Sequence, residues 1–431
     1  MAEAQGRISA DWLFPLGASA ALTAAIEGRF DRDRQLLTRI AGVHTAFAAL
    51  DEALDEALDV RPELWRGVPG AAGVRLADGA LPARINRVAT AAAGAVAEVA
   101  CAAKISAVLT VGPTAAVSFP SSRLIVRFDS VTEATITIDH ETVTVQADGV
   151  WTVLTARTCG EVGLEAPENA AGVERIPALD DFLIDVDGVS SVITLPPHFA
   201  LLGRSPNGPE STQLRQALAV LARTNPELHA ELRALPVRFA LLDRGQHRLS
   251  LTATGLPDVI YTNLVDPLET VDLIVHEYHH LKLDLLAETV PLLENPAAPV
   301  IAPWRPDIRT ADGVLHGAYV FANVARAFDP IMALGRPSAQ GRRRRAAWRA
   351  AVLRAVELLR ESDARPTEAG QQLLDGMAAA ARAWIDEHAE VDQHELRWAT
   401  AEVERHVREV ALGTRPEPRH MIGVLAGHHE H

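Results

Sequence analysis

The chain has very few cysteines. Its 431 residues include only Cys101 and Cys159, and neither belongs to a CxxC pair or has a histidine close by in sequence. A disulfide framework and a zinc knuckle both need several cysteines at short spacing, so the sequence excludes both. Such low cysteine usage fits a reducing compartment, and we expect a cytoplasmic protein.

The chain also lacks an excess of positive charge. Its formal net charge is −15, which argues against nucleic acid as a partner because phosphate contacts need a basic surface. One basic run, Arg342–Arg345, leads into a stretch rich in alanine and leucine. We interpret this run as the solvated start of a helix rather than as a polyanion site.

Long hydrophobic runs are absent as well. The most apolar stretch, residues 89–103, is rich in alanine and interrupted by Glu98, which predicts a buried or amphipathic helix and not a membrane span. The opening residues, MAEAQGRISADWLF, lack the basic and apolar segments of a secretory signal. We therefore expect no membrane partner.

What the chain does contain is a change of pattern along its length. Apolar residues recur at helical spacing early on, β-branched and alternating runs follow, and helical spacing then returns. This predicts an α+β protein that is mostly helical with a β-rich middle section. The predicted regions are a helical N-terminal region at 1–105, a strand-rich region with an inserted helix at 106–262, a helical metal-binding catalytic region at 263–412 and a flexible tail at 413–431.

Individual elements follow from the same periodicities. Predicted helices are Ser211–Ala234, Val271–Val290, Gly313–Ala327, Ala346–Glu361, Glu368–His388 and Glu395–Val410. Predicted strand-like runs are 108–112, 123–128, 134–154, 189–195, 237–243, 247–253 and 258–264, with turn signals at Ala147-Asp148-Gly149 and Val186-Asp187-Gly188.

The strongest chemical signal is the HExxH segment His276-Glu277-Tyr278-His279-His280, in the middle of a long predicted helix. His276 and His280 are one turn apart on one helix face, so their imidazoles can bind a single metal ion. Glu277 is rotated by about 100° from His276, which puts it beside the ion. His279 is offset from this face, and we expect it to contact solvent or substrate instead.

Two histidines do not complete a metal site, so a third protein ligand is expected. The HExxHxxGxxH pattern of one zinc-protease class is absent, because Leu283 and Leu286 stand where it needs other residues. Glu288 is too far along the same helix to reach the ion. His316, which opens the next predicted helix, is the preferred third ligand, and a hydrogen-bonded core histidine is the alternative interpretation.

Other charged residues near the motif have two interpretations each. Asp272 and Asp284 flank the histidine pair at four-residue spacing, so either carboxylate can hold a ligand imidazole or simply face solvent. The loop after the metal helix carries Trp304, Arg305 and Arg309. Arginine is suited to gripping a carboxylate, but ordinary surface charge explains a loop arginine equally well.

These residues resemble the HExxH-type peptide β-hydroxylases, bacterial proteins encoded beside ribosomally made peptide precursors. The clear likeness covers about residues 249–330. The resemblance implies iron(II) and 2-oxoglutarate as cofactors, a precursor peptide as partner, and hydroxylation at the β-carbon of one of its residues. Matching stretches are Leu249–Asp266, Val275–Leu283, Leu285-Leu286, Val290–Leu292, Pro303–Arg309, Leu315–Tyr319 and Phe321.

The resemblance also implies roles for individual residues. Three histidine ligands leave three positions of an octahedral ferrous ion for 2-oxoglutarate and dioxygen. Arg305, Arg309 or Lys282 would then bind the distal carboxylate of 2-oxoglutarate. Glu277 would orient a ligand or water instead of acting as a base.

Two other functions stay open on the sequence. A zinc-dependent peptidase would use Glu277 as the general base that activates a metal-bound water, and spacing alone does not separate zinc from iron. A non-catalytic peptide-binding protein with a degenerate site is the third interpretation. The modified peptide residue and the oligomeric state are not determined by the sequence.

Overall fold

The computed structural model describes much of the chain between residues 93 and 413. The exceptions within this span are residues 95, 120, 121, 123, 157–163, 168, 169, 176, 177, 180, 181, 186–208, 235–237, 244–249, 254, 255, 265, 334–338 and 389–392. Three predictions therefore lie outside the described residues: the helices before residue 93, the strand at 189–195 and the tail after residue 413. In the described part the protein is α+β, as the sequence predicts.

A six-stranded antiparallel sheet forms the first core. It is ordered β1-β2-β3-β4-β5, and β6 pairs with β2 at Leu124–Val126. Alternation along the strands buries one face, on which Leu109, Ile136 and Val143 pack against alanines and valines of the helical segment at 93–102. The strands are β1 (Ala107–Phe119), β2 (Leu124–Asp139), β3 (Thr142–Ala147), β4 (Val150–Ala156), β5 (Leu164–Glu165) and β6 (Val173–Arg175).

A five-stranded mixed sheet, ordered β10-β11-β9-β8-β7, lies against the helix that carries the HExxH segment. Its central pairs, β8 with β9 and β9 with β11, are parallel; α1 and α2 lie in the connection from β8 to β9, whereas β10 lies in the connection from β9 to β11. The predicted inserted helix is in fact two helices, because Pro226 begins the second one. The elements are β7 (Ala178–Leu179), β8 (Phe182–Asp185), α1 (Pro209–Thr224), α2 (Pro226–Ala234), β9 (Arg238–Leu241), β10 (Ser250–Ala253) and β11 (Leu256–Thr262).

The C-terminal part contains all five helices that the sequence predicts there. None of the helices in the described residues combines the length and the apolar character that a bilayer-spanning helix needs. The elements are α3 (Pro267–Thr289), β12 (Pro299–Ile301), β13 (Ile308–Thr310), α4 (Ala311–Ala333), α5 (Ala339–Glu361), α6 (Glu368–His388) and α7 (Gln393–Ala411).

The second hydrophobic core contains residues from both sides of the predicted boundary between residues 262 and 263. Phe182, Phe239 and Ile260 of the mixed sheet are buried in the same cluster as Ile274 and Leu281 of α3. The predicted boundary thus cuts through one core. Local periodicity marks where strands give way to helices, but it does not show which of them share a core.

The basic run at the start of α5 is only partly solvated, contrary to the interpretation from sequence. Arg344 forms an ion pair with Asp272 of α3, and its guanidinium lies 4.9 Å from the ring centre of Trp348. Arg345 is buried, with Nη1 3.8 Å from Oδ1 of Asp329. These arginines therefore join α5 to α3 and α4.

Candidate metal centre

Helix α3 has clear signals at both ends. Asp266 is the N-cap, and its carboxylate accepts hydrogen bonds from the backbone N–H groups of Leu268 at 2.9 Å and Glu269 at 3.2 Å. Pro267 occupies the first turn, where its missing N–H costs nothing. The helix ends at Thr289, so the HExxH segment lies near its middle, where the backbone is fixed.

His276 and His280 lie as the helical spacing predicts. Their ring centres are 5.0 Å apart, with an angle of 64° between the ring planes. Two imidazoles bound to one ion have ring centres about 5 Å apart, given metal–nitrogen bonds of about 2.1 Å. The separation of the pair therefore fits a shared ion.

His316 comes to the same place from the facing helix. α4 runs antiparallel to α3, since His316 lies near Asp284 while Phe321, further along α4, lies against His276. The ring centres of His316 and His280 are 6.1 Å apart and their planes are 17° from parallel. This separation is about 1 Å longer than the shared-ion value.

Three imidazoles are a suitable set of ligands for a transition metal, but their nitrogen atoms do not point to one common position in this structure. In the described part of the chain, no group of three or more His, Cys, Asp or Glu side chains is arranged to hold an ion. Burial, followed by the charges of His276 and His316, lowers the pKa of His280 well below its usual value. His280 is thus neutral at physiological pH, which is the form that binds metals. A shared ion would therefore require His316 to come closer to His280 than it does here.

The Glu277 side chain faces strand β10. Ser250 Oγ donates a hydrogen bond to its Oε1 at 2.7 Å, and Thr252 Oγ1 donates one to its Oε2 at 3.0 Å. The carboxylate is buried, and each of its oxygens accepts a hydrogen bond from the strand. In this position Glu277 joins the metal helix to the mixed sheet.

Lys282 is not brought to the site. It lies about 200° around α3 from His280, on the reverse side of the helix. Its Nζ is 2.5 Å from Oε1 of Glu231 on α2, and the two side chains are only 5% and 1% exposed. A lysine in such a buried ion pair does not fit the expected contact with 2-oxoglutarate.

His279 and Asp272 also differ from the sequence-based expectations. His279 is buried, its Nδ1 lies 2.7 Å from the Val275 carbonyl oxygen, and it contacts neither solvent nor the histidine pair's face. Burial, with a smaller effect of the Lys282 charge, lowers the pKa of His279 to about 3. Asp272 is buried and forms an ion pair with Arg344 of α5, so it does not face solvent.

The arginines of the connecting loop are on the surface and share one carboxylate. Arg305 Nε lies 3.0 Å from Asp307 Oδ1, and Arg309 Nη1 lies 3.3 Å from Asp307 Oδ2. Partial desolvation opposes ionisation of Asp307, but the two arginines outweigh it and hold its pKa below the usual value. Two cations against one carboxylate leave this loop with a net positive charge.

Trp304 anchors that loop next to the histidines. Its ring centre is 5.0 Å from that of Phe321, whose own ring is 5.8 Å from that of His276. Trp304 also packs so closely on Gly317 that a Cβ there would lie 2.3 Å from its Cζ2 atom. The positive loop is therefore fixed to the helix that carries the third histidine.

Several residues at the site were not found from sequence. Ser250 and Thr252 alternate on one strand, which indicates a shared face but not its partner. Asp312 lies four residues before His316, a spacing that predicts contact on a helix. Phe321 entered only as part of the resemblance, and His406, whose Nε2 lies 2.8 Å from the Arg305 carbonyl oxygen, carries no local signal.

No protein-family model matches this chain, and no curated protein matches it. The likeness to the peptide β-hydroxylases therefore rests on the residues quoted above. A function is inferred from those residues and from the geometry of the three histidines.

Proposed function

We propose that the protein is an iron(II)- and 2-oxoglutarate-dependent oxygenase that hydroxylates a β-carbon in a ribosomally synthesised precursor peptide. The observation that carries the proposal is the orientation of the metal helix. His276 and His280 lie together on one face of α3 and His280 faces His316 on α4, whereas Glu277 is turned to β10 and held there through both oxygens.

His276, His280 and His316 would hold the ion. Bound iron with 2-oxoglutarate and dioxygen supplies the oxidising power for hydroxylation of an unactivated C–H bond. Burial lowers the pKa of His280, which favours the unprotonated form of this nitrogen donor. Trp304 and Phe321 cover the His276 side of the site with apolar surface and limit access of water there.

Arg305 and Arg309 would bind the distal carboxylate of 2-oxoglutarate. Both are close to half exposed, so an anion reaches them without rearrangement of the core. Asp307 occupies part of their hydrogen-bonding capacity, and their excess positive charge still attracts a dianion. The Trp304 anchor keeps this charge next to the histidines.

The peptidase alternative is disfavoured by the surroundings of Glu277. A general base must reach the metal-bound water that it deprotonates, within about 3 Å or through one more water. Glu277 instead accepts two hydroxyl hydrogen bonds from β10. Its role in this proposal is to fix the rotation of α3 about its own axis.

A direct test uses Glu277→Gln. In the proposed oxygenase this variant hydroxylates peptide within about tenfold of the wild-type rate, because the amide oxygen still accepts one hydroxyl hydrogen bond. In a peptidase, loss of the base costs about 10²–10⁴-fold. The assay supplies iron(II), 2-oxoglutarate, dioxygen and the product of a short open reading frame adjacent to the gene, and it measures gain of one oxygen atom by mass spectrometry together with succinate release.

The control is His280→Ala, which removes a metal ligand and should abolish both signals. Peptide fragments formed with zinc alone, without any need for 2-oxoglutarate, would instead establish the hydrolytic function. Equal activity of His280→Ala and wild type would show that activity does not depend on a metal bound by His280, which contradicts the proposed site.

A further inference from the structure

His316 faces two carboxylates that come from different helices. Its Nε2 lies 3.7 Å from Oδ1 of Asp284 on α3 and 3.8 Å from Oδ1 of Asp312 on α4. Both distances are in the ion-pair range, and each is slightly longer than a hydrogen bond. A ring nitrogen that faces a carboxylate in this way is the usual arrangement of a metal-binding histidine and the group that orients it.

The two carboxylates differ in their surroundings. The Asp284 side chain is 14% exposed, like that of His316, whereas the Asp312 side chain is 55% exposed. Water and salt screen the charge of an exposed carboxylate strongly, and a solvated side chain gains little by staying in one rotamer. Asp284 is therefore the stronger partner of His316.

Asp284 also occupies a particular place on the metal helix. It lies one turn after His280, so its carboxylate continues the line of the two motif histidines along the same face. A contact between Asp284 and His316 joins this face to α4 at the point where the third imidazole must be placed. Asp312 is on the same helix as His316 and cannot make that connection.

We propose that Asp284 is the positioning residue of His316. Its carboxylate accepts a hydrogen bond from the Nε2–H group of His316, which sets the rotation of the ring and leaves the lone pair of Nδ1 for the metal. This inference rests on the proposed function in one respect, since it takes His316 as a metal ligand. Neither the resemblance nor the HExxH pattern assigns this role to Asp284.

The test compares matched substitutions by cobalt(II) titration, followed through the visible absorption of the bound ion. Asp284→Ala should weaken cobalt binding about 10–100-fold, the usual cost of removing a carboxylate that orients a histidine ligand. Asp284→Asn keeps an acceptor oxygen without the charge and should give a smaller loss. Asp312→Ala has the same change of chemistry at nearly the same distance from His316, and should change affinity less than about threefold.

A second measurement responds to positioning and not to stability. Nitrogen-15 NMR of the metal-free protein, in which no ion fixes the tautomer, labelled at histidine and assigned with His316→Gln, should show His316 protonated at Nε2 in the wild type. That signal should lose its single tautomer in Asp284→Ala and keep it in Asp312→Ala. If Asp284→Ala does not fold, the isosteric Asp284→Asn carries both measurements.

The outcomes separate this inference from the function on which it rests. Cobalt binding that needs His280 and His316 but is unchanged by both Asp284 substitutions overturns the positioning role and leaves the metal site in place. Equal losses in the Asp284 and Asp312 variants, or a His316 proton on Nδ1, also overturn it. A wild-type protein without any histidine-dependent cobalt binding overturns both proposals.

Discussion

At the scale of single residues, Gly317 sets the position of Trp304, the largest side chain at the site. Gly317 follows His316 directly, and Trp304 fills the space where a Cβ would be. The loop with Arg305 and Arg309 is thereby held against α4. A hydrogen atom at this position is consequently as important for the proposed cofactor pocket as the charges on the loop.

We expect Gly317→Ala to displace Trp304 and with it the arginine loop. A contact of 2.3 Å with ring atoms cannot be relieved by a flexible side-chain end, so a destabilisation of about 1–3 kcal/mol is expected in urea unfolding. The affinity for 2-oxoglutarate, measured by calorimetry on the metal-loaded protein, should fall at least about tenfold, equivalent to about 1.4 kcal/mol. Gly313→Ala is the control on the same helix, since its Cβ would lie 3.3 Å from Thr310 Oγ1 and 3.8 Å from Arg309 Nε, which are contacts that flexible side chains accommodate.

A second residue-scale prediction concerns the buried pair behind the metal helix. Lys282→Met should destabilise the protein by about 3–5 kcal/mol, because Glu231 is left buried without its cation. The double variant Lys282→Met/Glu231→Leu removes both charges and should recover most of that loss. Chemical denaturation measures both values. A double variant as unstable as the single one would show that the pair itself, and not the orphaned charge, provides the stability.

At the scale of elements, α3 is held by polar contacts on several sides. Glu277 joins it to β10, Lys282 to α2, and Asp272 to α5, while its histidine face meets α4. Each contact fixes the rotation of the helix, so the direction of the metal-binding face is determined several times over. This arrangement explains why so many charged and polar side chains are buried on one helix.

Helix α7 has a comparable effect on the arginine loop through His406. Its Nε2 donates a hydrogen bond to the backbone carbonyl oxygen of Arg305 at 2.8 Å, and the imidazole is buried. His406→Ala should cost about 1–3 kcal/mol, because the carbonyl loses its partner, and should weaken 2-oxoglutarate binding while cobalt affinity stays unchanged. His394→Ala, at an exposed position on the same helix, should leave both affinities as they are. If His406→Ala also lost cobalt binding, the substitution would be acting by disturbing the whole fold and not the arginine loop alone.

At the scale of the whole molecule, the described residues form two large hydrophobic cores, and only one contains the proposed site. The strand core includes the helical segment at 93–102 and the six-stranded sheet, whereas α3 and α4 belong to the core built around the mixed sheet. A ligand that binds the three histidines therefore stabilises the second core directly. The first core is stabilised by the ligand only to the extent that the two cores unfold cooperatively.

Metal binding should accordingly stabilise the helical core against unfolding. At a free metal concentration of one hundred times Kd, the expected gain is about 2.7 kcal/mol, and chelation should remove it. Near-UV circular dichroism follows this core, because Trp348 is fully buried within it. The variant His276→Ala/His280→Ala controls for metal bound at the His428-His429-Glu430-His431 terminus, and equal stabilisation of this variant would contradict a site on α3.

Much of the local structure could be predicted from the sequence. The helix that carries His276 and His280, the turn at Asp148-Gly149 between β3 and β4, and the helix Glu368–His388 all follow from periodicity, capping and turn chemistry. These are effects of neighbouring residues, so the sequence by itself determines them. The spacing within HExxH likewise sets the separation of two imidazoles, because both are on one helix.

Only the tertiary structure decided what each side of that helix meets. Glu277 finds its hydroxyl partners more than twenty residues away in sequence, and Arg344 reaches Asp272 from a different helix. Lys282, expected at the cofactor, is turned to Glu231 because the reverse face of α3 packs on α2. Such pairings depend on how distant segments fill one core, and local periodicity carries no information about the partner. For this reason the helix with His276 and His280 could be predicted from the sequence, whereas the surroundings of its side chains could not.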